Sequence, residues 1–365
     1  MADLKLDSKT YEYNDLEKKY ANFIWPAFEV SVDGRNLVQE EVPIDSVTVD
    51  TSADSKADAF SFVVANAFDR GKQEFLYVDQ YFSLGKHVEI KMGYGEKVET
   101  VFYGMITSVT FDLPDDGSSR IIVKGMDMSF LMMKGKHSAF WKEKKHSEVA
   151  REIGSKYVSQ VKVDDTTEVH NLVVQNEQED FHFLSWLAEA NDYDFFVVGK
   201  TMYFRKRSSD TSPVLTLEWG KSLHAFSLDA NLTSQISSVV VRGWNEKEFT
   251  HIEAESQSVT KLGSNSKTGP DLIKALGEAK EYVYNDVVSA AEAQQQANAI
   301  LNKRAMQLLT GEGETVGIPE LRAGRYVKLA GLGNKLSQPF YLTSVTHTID
   351  DSGYLTRFRV GGNAI

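Results

Sequence analysis

Alternation of apolar and polar residues dominates the first third of the chain and predicts β-strands. Gly, Asp, Asn or Pro separates one alternating stretch from the next. The predicted strands cover residues 28–32, 47–49, 60–64, 88–92, 101–111 and 121–123. One face of the longest strand carries Val101, Tyr103, Met105, Val109 and Phe111, which is typical of a half-buried strand in a sandwich or small barrel. We therefore expect a β-barrel domain at 28–127, preceded by a polar N-terminal arm at 1–27.

The pattern changes to a helical period between residues 128 and 210. Ser147 is expected to cap a helix, and Glu179 and Asp180 place negative charge at the start of a second one. Two short apolar stretches, 194–198 and 201–205, flank Gly199 and predict a hairpin. This segment is interpreted as a small α+β domain inserted between two β-domains.

The β pattern returns at residue 211 and predicts a second barrel domain at 211–365. Strands are expected at 215–217 and 237–241. The polar stretch 254–284 is interpreted as a long loop, and the alanine-rich stretch 286–309 as a helix that Gly311 ends. The predicted fold class is thus mainly β, with two related barrels around an α+β insert.

A strand–hairpin–strand pattern occurs twice in the chain. Residues 106–125, which begin ITSVT, align without a gap with residues 342–361, which begin LTSVT. Upstream, GKHVEI at 85–90 matches GRYVKL at 324–329. The repeat-equivalent positions are Gly85, Val88, Thr107, Val109, Gly117, Gly125, Gly324, Val327, Thr343, Val345, Gly353 and Gly361. The repeat predicts that one β-unit is built twice, and that three chains could present six similar faces.

Charge and composition narrow the possible functions. The 365 residues contain 42% hydrophobic residues, no cysteine and a formal charge of −12, which opposes binding to a polyanion. A small basic cluster is interpreted as a solvated loop or protein contact, with nucleic acid or a membrane surface as the alternative; it comprises Lys134, Lys136, Lys142, Lys144 and Lys145. No signal peptide or apolar membrane span is recognised, so we expect synthesis in the cytoplasm and no stable nucleic-acid or membrane partner.

The search for catalytic chemistry finds no convincing motif. The eight histidines are scattered, and no metal or cofactor is predicted. The glycine-rich stretches 311–317 and 331–335 are interpreted as turns. Two aspartate pairs, 115–116 and 350–351, could serve glycan cleavage, but each precedes a hairpin tip where Asp favours the turn. Aromatic residues of the arm could bind a partner or fold back; they are Tyr11, Tyr13, Phe23 and Trp25.

The second copy of the repeat resembles the C-terminal signature of the phage late control D family. The resemblance lies in GETVGIPELRAGRYV at 313–327, FYLTSVTH at 340–347 and GYLTRF at 353–358, with weaker support from VVVRGW at 239–244. It covers roughly residues 28–365, and its motifs are structural glycines and strand residues. That family comprises baseplate hub proteins of contractile phage tails and the hub portion of VgrG proteins.

The resemblance implies a non-enzymatic structural hub. Hubs of this family are similar in being homotrimers, in which two barrels per chain form a pseudo-sixfold ring between a hexameric tail tube and a trimeric spike. The implied partners are a second and third copy, the tube or a tube-initiator protein, a separate spike subunit and other baseplate proteins, within a phage tail, tailocin or injection particle. A tail-associated cell-wall or polysaccharide hydrolase and a carbohydrate- or receptor-binding module remain the alternatives.

Overall fold

The computed structural model describes residues 4–6, 8–115, 119–245, 249–263 and 267–365, and strands predominate in them. Within these residues no helix combines the length and the apolar character that crossing a bilayer requires. The N-terminal arm forms helix α1 (Tyr13–Lys19) and a short 3-10 turn (Ala21–Phe23). Three of its aromatic residues, Tyr11, Tyr13 and Phe23, pack against the main core, whereas Trp25 is 77% exposed.

The first β-unit follows the arm. Its elements are β1 (Pro26–Val32), β2 (Arg35–Asn36), β3 (Ile44–Ser52), β4 (Ala59–Ala65), β5 (Phe68–Asp69), β6 (Glu74–Phe75), α2 (Val78–Tyr81), β7 (His87–Tyr94), β8 (Lys97–Asp112) and β9 (Arg120–Asp127). The buried residues of these strands alternate along the chain, as in β4, where Phe60, Phe62 and Val64 face inward. The alternating apolar and polar residues that predicted the strands thus correspond to alternating buried and less buried side chains.

The middle segment is an α+β unit with its own hydrophobic cluster. After a 3-10 helix (Met128–Met133) come β10 (His137–Lys145), α3 (His146–Gly154), β11 (Gln160–Val163), β12 (Val169–Gln178), α4 (Asp180–Ala190), β13 (Tyr193–Val198) and β14 (Thr201–Lys206). The predicted hairpin is confirmed, since β13 and β14 pair antiparallel. The second helix begins where predicted, with Glu179 at its N-cap.

The expected N-cap of the first helix is wrong. Helix α3 begins at His146, with Lys145 in the cap position, because the Glu148 carboxylate accepts the backbone N–H of Lys145 at 3.0 Å. The Ser147 hydroxyl instead donates to Asp165 at 3.0 Å. A carboxylate three residues inside the helix therefore closes the N-terminus that a serine was expected to close.

The last segment completes the chain. Its elements are β15 (Pro213–Glu218), β16 (Ala225–Ala230), β17 (Ser238–Asn245), β18 (Thr250–Ser256), α5 (Gly269–Leu276), β19 (Lys280–Tyr284), α6 (Ala290–Ala305), β20 (Leu309–Val316), β21 (Tyr326–Ala330), β22 (Pro339–Asp350) and β23 (Gly353–Gly362). Strands β17, β18 and β19 form a separate three-stranded sheet, against which α6 packs. The long helix is confirmed, although it begins at Ala290 behind a Ser289 cap.

Two expectations for this segment are wrong. The stretch 254–284 is not a loop, because it contains α5 and β19. Thr268 and Asp271 form a reciprocal capping box, and Pro270 lies in the first turn of α5, so Gly269 and Pro270 begin a helix. Gly311 does not end α6 but lies within β20. Glycine suits this position because a β-carbon on Gly311 would lie 2.8 Å from the Ser227 carbonyl oxygen of the paired strand β16.

The strands of the two β-units join into one sheet of thirteen strands, in the order β16-β20-β23-β22-β3-β4-β9-β8-β7-β1-β2, with β21 joining β22 and β15 joining β21. None of the sheets among the described residues closes into a barrel. The expectation of two β-barrels is therefore wrong. The reason is the junction: β22 pairs with β3 of the other unit instead of leaving each unit to close on itself. One hydrophobic cluster correspondingly spans both units, and the domain boundaries at 127 and 210 remain predictions.

Candidate assembly surface of the repeated strand unit

The two copies of the repeat enter their first strand through the same backbone conformation. Gly85 and Gly324 both have φ of +85°, a region that favours glycine. The N–H of Gly85 donates to the carbonyl of Ile106 at 2.9 Å, and the N–H of Gly324 donates to the carbonyl of Leu342 at 2.9 Å. Val88 and Val327, three residues after the two glycines, are both fully buried. The upstream part of the repeat therefore folds alike in both places.

The second strand of each copy carries the same irregularity. The pairing of β8 with β9 shifts register between Ile106 and Ser108, and the pairing of β22 with β23 shifts between Leu342 and Ser344. Thr107 and Thr343 have no partner in these strand pairings, as is the case for the extra residue of a β-bulge. A bulge bends and twists a strand, so β8 and β22 change direction at equivalent points.

The return strands differ by one residue in register. Gly125 lies opposite Ile106, whereas the residue opposite Leu342 is Val360 and Gly361 lies opposite Tyr341. The burial pattern agrees, because alternate residues from Ile121 in β9 and from Thr356 in β23 point inward. The gapless alignment therefore matches structurally equivalent residues along β8 and β22. In β9 and β23 the structurally equivalent residues differ from the aligned ones by one position. The slip coincides with unequal hairpins, since only Asp351 and Ser352 separate β22 from β23.

The two hairpin positions can be compared only in part. Gly353, with φ of +119°, follows the short turn between β22 and β23, whereas Gly117 lies outside the described residues. The Asp350 carboxylate accepts the N–H of Ser352 at 2.8 Å, and hydrogen bonds from Ser352 lower the pKa of Asp350. Asp350 therefore stabilises the turn. Glycan cleavage requires two carboxyl groups that face each other across a cleft, whereas the Asp350 carboxylate is engaged in its own turn.

A seam joins the two units inside the chain. We use "seam" for the antiparallel pairing of residues 344–349 of β22 with residues 47–52 of β3. Val345 and Ile349 are buried in it, and the Thr346 hydroxyl donates to the Asp50 carboxylate at 2.6 Å on the exposed face. Strand β22 is thus paired along both edges at this level, with β23 on one side and β3 on the other.

A buried ion cluster holds the units together behind the seam. Arg322 of the second unit binds the Asp58 carboxylate and donates to the carbonyl of Val101 at 2.9 Å. Asp127 accepts the backbone N–H of Asp58 at 2.8 Å, so a second buried carboxyl group lies next to this ion pair. Burial raises the pKa of both carboxyl groups. Sequence reasoning missed all three residues, because charged partners so far apart in sequence carry no local signal.

A second polar cluster attaches the α+β unit to the second β-unit. Tyr341 of β22 donates to the Asp194 carboxylate of β13, which also accepts from Arg207 at 3.1 Å. Asp192 lies 3.8 Å from Arg207 and accepts from Asn302 at 2.9 Å, and burial raises its pKa to about 6. Since the carboxyl groups are bound by side chains from β22, from α6 and from the residue that follows β14, we interpret the cluster as a joint between units.

Two further predictions concern charge and metals. In the basic cluster, Lys144 pairs with Glu148 at 3.2 Å and Lys145 with Asp165 at 2.7 Å, which fits a surface of local ion pairs. Among the residues that the structure describes, no three His, Asp or Glu side chains converge as metal ligands would.

The fold is similar to those of several solved tail proteins. The 43 kDa tail protein of prophage MuSo2 from Shewanella oneidensis is 14% identical with a TM-score of 0.70, over 92% of this chain and 98% of that one. A tail protein from Neisseria meningitidis MC58 is 14% identical with a TM-score of 0.68, over 92% and 96%. The E. coli c3393 protein, a component of the type VI secretion system, is 11% identical with a TM-score of 0.55, over 92% and 77%. At these identities the similarity shows the fold alone.

Sequence comparison adds a family. No curated protein matches the chain. A family model described as the Alg8 N-terminal domain matches residues 25–351, which is more than half of the chain. The chain therefore belongs to the Alg8 N-terminal domain family.

Proposed function

We propose that the chain is a structural, non-enzymatic hub subunit in the baseplate of a contractile tail or injection system. Three copies form a ring in which six β-units approximate sixfold symmetry on the side of the inner tube, while the ring as a whole keeps threefold symmetry for a spike. The partners are two further copies, a hexameric tube or tube-initiator protein, a trimeric spike and other baseplate proteins. This function agrees with the late control D resemblance and with the tail proteins that share the fold.

The seam is the observation that carries this proposal. Two units that enter their strands through equivalent glycines and bulge at equivalent threonines are joined edge to edge within one chain. Repetition of one edge-to-edge relation around an axis generates a ring when the rotation closes. A chain that already contains two consecutive units needs only three copies to complete six. The role is geometric, and the clusters around Arg322 and Arg207 stabilise the joints instead of performing chemistry.

Mass and shape measurements test the proposal. Light scattering or native mass spectrometry of the full chain should give three times the 40.9 kDa of one chain. Electron-microscopy averages along the axis should show six similar lobes, and the ring should bind the tube protein encoded with it. A monomer at every accessible concentration, or a ring of another rotational order, would contradict the proposal. Peptidoglycan hydrolysis by the purified protein would favour the hydrolase alternative.

A further inference from the structure

One edge of strand β8 has no partner where the equivalent edge of β22 is paired. Pairing of β8 with β7 ends at Met105, and among the described residues only β9 pairs with β8 beyond the bulge. Two large apolar side chains are exposed there, Phe111 by 48% and Leu113 by 57%. An unpaired strand edge flanked by exposed apolar residues is a surface on which another strand can add.

The repeat identifies the residues that correspond to this free edge. Residues 108–112 of β8, with Leu113 directly after it, are equivalent to residues 344–349 of β22, which form the seam. Phe111 thus stands where His347 stands, and Leu113 where Ile349 stands. His347 and Ile349 are buried, with exposed fractions of 1% and 5%. The apolar side chains exposed in the first unit therefore occupy positions that are covered in the second.

Strand β16 is equivalent to the strand that covers the seam. In the first unit the order is β3-β4-β9-β8, and in the second it is β16-β20-β23-β22. Following the pairings across both sheets makes Phe226 equivalent to Val47 and Leu228 equivalent to Val49. Both apolar side chains of β16 pack against the main core, as Val47 and Val49 do. Among the described residues, β16 pairs on one edge only, with β20.

The polar contact of the seam has a matching pair on the two free edges. In the seam, the Thr346 hydroxyl donates to Asp50. The residue equivalent to Thr346 is Thr110, and the residue equivalent to Asp50 is Asp229. Both are exposed, and the Asp229 carboxylate lies 3.3 Å from the amide of Asn231 within its own chain. The free edges of two copies would thus present a hydroxyl donor and a carboxylate acceptor at the same register.

We propose that residues 108–113 of one chain pair antiparallel with residues 226–231 of a second copy, repeating the seam between subunits. Thr110 then faces Asp229, Phe111 lies opposite Leu228, and Leu113 lies opposite Phe226. The interface is heterologous, because each chain contributes β8 on one side and β16 on the other, and three such contacts close the ring. This inference rests on the proposed trimer and specifies the surface that holds it together.

Disulfide trapping tests the register directly. The chain contains no cysteine, so only introduced thiols can react. Oxidation of the full-length double variant Thr110→Cys with Asp229→Cys should give covalent dimers and trimers on a non-reducing gel. A mixture of the two single variants should give dimers only, and each single variant alone should stay monomeric on the gel.

Two matched controls use the same strands. The pair Asp50→Cys with Thr346→Cys should form a disulfide within one chain, because those side chains already meet in the seam. The pair Thr110→Cys with Leu228→Cys should give little cross-linking, because neighbouring residues of a strand point to opposite faces. All of these variants are compared by circular dichroism, and the intrachain control shows whether such a pair of thiols is compatible with the fold.

The outcomes separate the interface from the proposed function. A trimeric mass with no cross-link in the Thr110 and Asp229 pair, while the seam control closes, overturns the interface and leaves the hub function standing. A monomer at every concentration overturns both. Dimers from Thr110→Cys alone would show that two β8 edges meet about a twofold axis, and this also overturns the heterologous interface.

Discussion

The β22 strand of the second unit and the β8 strand of the first carry the same bulge but have different surroundings. Beyond Thr343, β22 is covered by β3 along one edge and by β23 along the other. Beyond Thr107, β8 is covered by β9 alone among the described residues. Similar backbones can therefore carry side chains of very different burial. The comparison shows that the position of a unit within the assembly, more than its own fold, decides which of its residues form core.

The largest effect is expected from a charge at the repeat valine. Val345 is fully buried, whereas the equivalent Val109 is only partly buried. Val345→Asp should destabilise the chain by about 4 kcal/mol or more, because an unpaired carboxylate would be buried in the seam. Val109→Asp should cost about 1 kcal/mol in the isolated chain, since water reaches that position. Urea unfolding of both variants measures the difference, and equal losses would contradict the proposed asymmetry.

An intermediate effect is expected from pH, through the buried His347. Burial lowers its pKa from the ordinary 6.5 to about 4, and its ring nitrogens lie 2.9 Å from the Leu321 carbonyl and 3.1 Å from the Thr356 hydroxyl. Between these two pH values the unfolded chain binds the proton and the folded chain does not. Stability should therefore fall as the pH drops from about 6.5 to about 4, by up to about 1.4 kcal/mol per unit.

Two variants test whether His347 is the side chain that causes this dependence of stability on pH. His347→Gln should be less stable at neutral pH but should lose less further stability on acidification than the parent chain. Phe111→His, at the equivalent position, which is half-exposed in the isolated chain, should add no comparable dependence on pH when unfolding of the monomer is followed. Thermal unfolding at several pH values measures both, and parallel profiles for the parent chain and His347→Gln would refute the assignment to this side chain.

The smallest effect is expected at the two glycines that open the repeat. Alanine at Gly85 would meet no atom within 4 Å, so Gly85→Ala should cost only the left-handed backbone strain of about 1–2 kcal/mol. A β-carbon at Gly324 would also lie 3.0 Å from the Phe196 ring of the α+β unit. Gly324→Ala should therefore be the more destabilising of the two in chemical denaturation. If Gly85→Ala proves the more destabilising of the two, the Phe196 ring of the α+β unit must move away from residue 324 at little cost in free energy.

The sequence predicts the strands well because buried and exposed residues alternate with a period of two. It predicts α6 because the high helix propensity of alanine is a local property of the sequence. The upstream half of the repeat is also recoverable, as the shared φ of Gly85 and Gly324 shows. The junction of the units is not predictable in this way, since the alternation in β3 and β22 says which face is buried but not which strand lies alongside. The clusters around Arg322 and Arg207 cannot be predicted from the sequence for the same reason.

Some errors have narrower causes. Gly311 was expected to end a helix, but the reason for glycine there lies far away in the sequence, because a β-carbon would lie 2.8 Å from the Ser227 carbonyl oxygen of β16. The capping box of Thr268 and Asp271 has a signature in the sequence, but Gly269 and Pro270 between them are equally typical of a turn. The register slip between β9 and β23 could not be seen at all, because an ungapped alignment assumes equal hairpin lengths.

The guanidinium of Arg322 has a consequence for what could be built from parts of this protein. It lies on the second copy, yet its partners at Asp58 and Val101 belong to the first. The two halves therefore depend on each other for the pairing of buried charge. Neither half, expressed by itself, should yield a soluble self-sufficient building block from which a true hexamer could be assembled.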